Sequence, residues 1–267
     1  MNRRSLLLCL PLLGLAACGD ATSSGRATFD VRVGGVARDA TTAFTFDNDQ
    51  GWRVTLTLAR MAVGPIYLNT VAPVVARRTL TDRLGDLLIR PAWAHGELHQ
   101  GAGRIVGQVT TQTVVDLLDP SLQTLPGGGD GVLDRVQSLE FWYFNDDALR
   151  GAAVRVAGVA ERGGERVIFD GSLQINDALA TPSRPLEIAR RVRGVPASFA
   201  LTDGGSLTVR IDPRGWFRGA DFAELLTKPA SPEGVRAFDA RDNVGRAFVE
   251  NTRAAQGMFL PEFATTP

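Results

Sequence analysis

The chain holds two histidines, His95 and His99, both in one stretch: Pro91-Ala92-Trp93-Ala94-His95-Gly96-Glu97-Leu98-His99-Gln100-Gly101-Ala102-Gly103. A spacing of four places two imidazoles on one face of a helix, the arrangement of many zinc sites. Gly96, Gly101, Gly103 and Pro91 oppose a helix here. In an extended strand the two α-carbons would stand about 13 Å apart, too far to share an ion. A folded loop is the remaining geometry, in which both rings reach one metal at about 2.0 Å. Glu97 supplies a carboxylate, and Asp47-Asn48-Asp49 or Asn145-Asp146-Asp147 would complete the shell if those loops meet at the same end of the domain. Imidazole ligands suit zinc or copper. The alternative is a solvated polar loop, and the residues by themselves leave both open.

Other chemistries find less support. Gly129-Asp130-Gly131-Val132-Leu133-Asp134 invites a calcium loop, but alignment on Gly131 puts Pro126, Gly128 and Gln137 where ligands belong. It reads better as a glycine-rich turn before a strand. Neither Gly-x-Ser-x-Gly nor His-Glu-x-x-His occurs, and no glycine loop leads from a strand into a helix to cradle phosphate. The expectation is therefore a binding module and no enzyme. Trp142-Tyr143-Phe144 offers a second kind of site: consecutive strand residues face opposite ways, so an aromatic ring turned outward would meet a partner or a sugar. A strand buried on both faces would absorb all three.

The address is read from the first 25 residues. Arg3 and Arg4 precede an apolar run, residues 5–15, that is too short to span a bilayer needing about 20 residues. Leu15-Ala16-Ala17-Cys18 follows and resembles the lipobox of bacterial lipoproteins. That resemblance implies a signal peptide over 1–17, a diacylated Cys18 as the first mature residue, and attachment to a membrane. Gly19, rather than aspartate, at the next position implies the outer membrane, with the protein facing the periplasm. Residues 18–25 have the small, polar composition of a tether.

With Cys9 lost in the leader and Cys18 lipidated, the mature domain has no disulfide, thiolate ligand or cysteine nucleophile. About 240 residues from 26 to 267 can nevertheless build a core that buries roughly three quarters of their surface. Charge is balanced at 29 basic and 29 acidic residues, and loss of Arg3 and Arg4 leaves 27 against 29. This excludes a strongly basic nucleic-acid binder. Lys228 is the only lysine, consistent with a codon bias toward arginine.

The elements that must position these groups are mostly strands. Alternation predicts strands at 27–33, 41–46 and 52–59, the last with Trp52, Val54, Leu56 and Leu58 on one face. Gly64-Pro65 is expected to bend or break it. Leucine spacing over 79–89 suggests a short helix. A long strand is expected over 104–118, a loop over 123–130 and a strand over 132–144. Two hairpins are expected, 153–160 with 165–175 across Gly163-Gly164, and 195–201 with 206–211 across Gly204-Gly205. The period then changes, predicting helices near 215–226 and 243–255. The sum is a single all-β domain, an antiparallel β-sandwich or barrel-like body with a small C-terminal helical cap.

Gly51-Trp52-Arg53-Val54, Gly64-Pro65-Ile66-Tyr67, Ala94-His95 and Gly101-Ala102-Gly103-Arg104 together resemble a group of uncharacterised bacterial lipoproteins. The resemblance spans the first half of the domain and implies no established activity. The expected function is a membrane-anchored envelope module binding zinc or copper through His95, His99 and Glu97. The alternative is an assembly protein that binds an envelope partner without a small ligand.

Overall fold

The computed structural model describes residues 25–39, 41–72, 104–179 and 185–265. Fourteen strands form one large mixed sheet, and the domain is mostly β with two α-helices among the described residues. Its spine is β3, Arg53–Asn69, whose seventeen residues serve two half-sheets in succession. Along one edge it pairs antiparallel with β2 (Phe44–Asp47), then β5 (Thr113–Asp116), then β4 (Ile105–Val109). Along the other it pairs first with β9 (Val154–Arg162) and then with β8 (Arg135–Tyr143).

The change of partner falls at Gly64-Pro65. Pro65 has no N–H to give a ladder, and the register against β8 shifts between Val63 and Ile66. Gly64 has φ +121, and a Cβ there would lie 2.2 Å from the Thr111 carbonyl oxygen. Only glycine lets the chain pass this close. Gly64-Pro65 thus bends the strand without breaking it. The same passage divides the strand expected over 104–118 into β4 and β5, which meet β3 on either side of the bend.

Beyond β9 the first half-sheet continues to β10 (Glu165–Leu173) and β13 (Val235–Phe238). The β9–β10 hairpin turns at Gly163 and Gly164, both at positive φ, as the sequence predicts. Beyond β4 the second half-sheet continues through β7 (Gly129–Val132), β1 (Arg26–Gly35), β12 (Gly205–Ile211) and β14 (Phe259–Ala264), while β6 (Gln123–Thr124) pairs with β1 and β11 (Arg191–Ala200) pairs with β8. Residues 123–130 therefore contribute strand as well as loop.

The second expected hairpin does not form. β11 pairs with β8, and β12 lies parallel to β1 and antiparallel to β14. The turn between β11 and β12 is sewn to β1: Thr28 donates its backbone N–H and its hydroxyl to Asp203, each at 2.8 Å, and Gly204 N–H donates to Thr28 O. The glycines turn the chain toward a different neighbour, so two strands adjacent in sequence are not adjacent in the ladder.

β11 and β14 come into contact without a ladder, which leaves the sheet unclosed as a barrel. Phe199 stacks on Phe263 with centroids 5.1 Å apart, and Phe141 on Phe259 at 4.5 Å, filling the seam with rings. Pro196 on β11 and Pro261 on β14 remove donors from these two strands, a device that discourages edge pairing.

The C-terminal cap is present but differs in form. The helix expected over 215–226 is two 3-10 turns, Pro213–Phe217 and Ala223–Thr227, separated where Gly219 takes φ +72. The expected 243–255 helix is an α-helix, α2, over Asn243–Thr252; a short α1 covers Leu186–Ala189. Trp216, Phe217, Phe222, Leu225, Val244 and Phe248 are fully buried. Their rings join those of the first half-sheet, with Phe222 against Trp52 and Phe169, Phe217 against Phe46 and Phe169, and Phe248 against Phe238. The cap is the other wall of the core of this half. Among the described residues no helix is long and apolar enough to cross a membrane.

Candidate functional site

Cys18, His95, Glu97 and His99 lie outside the described residues, as does the helix expected over 79–89. The described loops proposed to help them are committed elsewhere. Asp47 pairs with Arg53 at 3.2 Å. Asn48 donates to Phe217 O and Ala220 O and accepts from the N–H groups of Gln50 and Trp52. Asp49 accepts from Gly219 N–H at 2.6 Å. Asn48 and Asp49 hold the cap down. Asn145 is doubly bonded to the backbone of Ile175, and Asp146 caps the turn at Asp147–Leu149. Among the described residues no group of three or more His, Cys, Asp or Glu side chains could hold a metal.

Gly129-Asp130-Gly131 is strand β7, with Asp130 opposite Thr28 of β1. Gly131 permits the backbones to close up, since a Cβ there would sit 2.3 Å from Val106 O. The glycines serve strand packing.

The described residues carry one concentrated charged site, on the outward face of β3, β8 and β11. Alternation along β8 turns Phe141 and Tyr143 inward and Glu140 and Trp142 outward. Opposite them on β11, Arg191 and Arg193 flank the buried Val192, with Arg191 registered on Trp142. The Arg191 guanidinium lies 3.9 Å from the centroid of the Trp142 ring and that of Arg190 lies 4.4 Å away. Tyr67 of β3 meets the same ring edge to face at 5.8 Å.

Glu140 organises the cluster. It accepts the indole N–H of Trp142 at 2.7 Å and faces Arg191 at 3.6 Å and Arg193 at 3.4 Å. Its side chain is 12% exposed. One carboxylate thus faces two guanidinium groups while a third, that of Arg190, lies over the Trp142 ring, and no Nε of Arg190, Arg191 or Arg193 has a hydrogen-bond partner among the described residues. Burial lowers the Arg191 pKa, Glu140 partly offsets this, and Arg193 and Arg190 lower it further. The net charge of the cluster favours an anionic partner, and the Trp142 and Tyr67 rings supply apolar area beside it. An open cleft of about 280 Å³ adjoins it, with Arg190, Phe144, Leu186 and Glu187 among its walls.

The inward aromatic of the 142–144 run, Tyr143, is 1% exposed and donates its hydroxyl to Thr252 O. Burial pushes its phenol pKa well up, and it acts as a buried tie between β8 and α2. Trp142 and Phe144 are the outward, half-buried pair. The arginines were missed because no motif marks them. The available signal was alternation: Glu140-x-Trp142 and Arg191-x-Arg193 each put like-facing residues two apart, and only strand pairing unites them.

No family model, curated protein or solved structure matches the chain.

Proposed function

We propose that the chain is a lipid-anchored cell-envelope protein, attached to the outer membrane on the periplasmic side through Cys18, whose β-rich domain binds rather than catalyses. The observation that carries this reading is Leu15-Ala16-Ala17-Cys18 behind a short apolar leader, with the described domain starting at Gly25. Acyl chains on one cysteine hold a protein at a bilayer because each buried methylene contributes about 0.8 kcal/mol. Cys18→Ser is expected to move the chain out of the membrane fraction of a bacterial host. Unchanged membrane retention overturns the anchor.

The ligand we assign first is zinc or copper, held by His95, His99 and Glu97. Calorimetric titration of the detergent-solubilised chain with either ion, compared with a His95→Ala, His99→Ala double variant, tests it. Absent binding, or equal binding by the variant, removes the metal. A second reading, an assembly protein that takes an acidic envelope partner, is favoured by the three arginines around Trp142. In that case a partner co-purifies with the native chain and is lost with Arg191→Glu, while metal binding is unaffected.

A further inference from the structure

Only four large aliphatic side chains are strongly exposed among the described residues, and three of them gather at one end of the sheet: Val71 at 38%, Ile105 at 54% and Leu133 at 49%. Their neighbourhood follows from register. Gly107 of β4 pairs with Gly131 of β7, and Ile105 and Leu133 each lie two residues beyond that pair, at the same end of the two strands. Asn69 of β3 pairs with Ile105 and with Ser138, and the Ser138 hydroxyl donates to Val71 O. The three side chains therefore form the rim of one sheet end.

The chain enters the described domain at this rim. Gly25 O accepts from Leu133 N–H at 2.8 Å, and a Cβ on Gly25 would meet Leu133 Cδ1 at 2.6 Å. Gly25 is the seventh residue after Cys18, a reach of at most about 25 Å. A domain anchored at Cys18 has this end nearest the bilayer. Arg26 and Arg135 are exposed beside the rim, where a guanidinium meets lipid phosphates. Arg104 also lies here, ion-paired with Asp134, and Asp130 and Asp203, which flank Thr28, are further nearby acids.

We infer that the Val71, Ile105 and Leu133 rim is a membrane-contact surface that seats the domain on the lipid headgroups with the tether side down. This rests on the Cys18 anchor and adds an orientation to it. The occupant is a lipid surface because the patch is small, aliphatic, arginine-flanked and placed where the tether enters; a tether alone would leave the domain free to tumble. Seating also turns the far end of the sheet outward. Leu260, the fourth exposed aliphatic, lies there, opposite Arg210 of β12, which is in turn registered on Gly34 at the distal end of β1.

The test uses the full chain in isolated bacterial membranes, with a thiol-reactive bimane on Ile105→Cys, Leu133→Cys or Leu260→Cys, and phospholipid carrying a nitroxide near the headgroup. The parent chain, labelled in parallel, gives the background. Quenching at 105 and 133 is expected to exceed that at 260 by about threefold or more, since an interfacial contact sits within the quenching layer. Equal quenching at the three positions in a chain that still sediments with membranes overturns the inference and leaves the anchor standing. A chain absent from the membrane fraction overturns both. The variants replace exposed residues, and a thermal transition matching the parent confirms that each is folded.

Discussion

The molecule uses one three-residue device twice, to opposite ends. At Trp52 the indole N–H donates to Asp221 at 2.9 Å, Arg162 lies 4.3 Å from the ring centroid, and the same arginine faces Asp221 at 3.5 Å. At Trp142 the indole N–H donates to Glu140 at 2.7 Å, Arg191 lies over the ring at 3.9 Å, and it faces Glu140 at 3.6 Å. The local chemistry is the same; the surroundings are not. Trp52 is fully buried under Phe222, and its carboxylate belongs to the cap, so the device locks the cap to the sheet. Trp142 is half-exposed on the outer face, its single carboxylate is shared with Arg193, and Arg190 also lies over the ring. Balanced charge over a buried ring makes a clamp, whereas excess charge around an open ring makes a surface with unmet electrostatic demand.

Truncating the two tryptophans is the strongest way to break the comparison. Trp52→Ala should lower unfolding free energy by about 3–5 kcal/mol through cavity formation and loss of the cap contact. Trp142→Ala should lower it by only about 1–2 kcal/mol, mainly the stacked cation and aromatic contacts. Urea unfolding measures both, and equal losses would show that the outer ring is also a core element.

Next in size is Asn48→Ala, which strands the carbonyls of Phe217 and Ala220 and frees two turn amides; a loss of about 2–3 kcal/mol is expected. The loss should appear first as faster hydrogen exchange in residues 213–227. Uniform exchange across the sheet would mean that the cap does not open separately.

Glu140→Gln sharpens the electrostatic half of the contrast. It leaves Arg191 and Arg193 without the carboxylate they share, and the expected cost is about 1–2 kcal/mol at low salt. Because the consequence is repulsion among half-exposed cations, added salt should recover part of it. A salt-independent loss would assign the effect to the Trp142 hydrogen bond instead.

The smallest effect concerns acid. Burial raises the Asp221 pKa, but the Ala223 N–H, the Trp52 indole and Arg162 together hold it below its ordinary value of 3.8. A carboxyl whose folded pKa is depressed contributes stability above the unfolded pKa and loses it as pH falls through the folded one. Asp221→Asn should therefore flatten the fall in stability below about pH 4. An unchanged acid limb would place that dependence on other carboxyls, such as Asp203, held low by the Thr28 backbone N–H and hydroxyl.

Legibility followed the range of the interaction. Trp52, Val54 and Leu56 share the buried face as expected, but a register shift between Leu56 and Leu58 hands that face to Ala59 and Met61 and leaves Leu58 half-buried; Gly163-Gly164 joins two alternating runs, and the hairpin is there. Gly204-Gly205 looks the same locally, yet its turn is tied to Thr28, 176 positions from Gly204, so its strands part. The cap was legible as a change of period near residue 215, but its division into 3-10 turns depended on Gly219 and on aromatic packing against β10. β13 and β14 are short, with Val235 and Arg236 of β13 both half-exposed, so alternation does not announce them.

Of the candidate sites, His95, Glu97, His99 and Cys18 were read from residue type and spacing, which are properties of a local stretch. By itself the sequence determined the strand faces, the glycine turns, the helical C-terminal region and the cysteine and histidine inventory, because each depends on neighbours a few residues apart. Only the tertiary structure decided that Asn48 and Asp49 hold the cap, that Trp52 and Trp142 play different parts, and that arginines from β11 crowd a carboxylate on β8. Strand pairing joins residues about 50 positions apart there, and no local pattern encodes which edge a strand will meet.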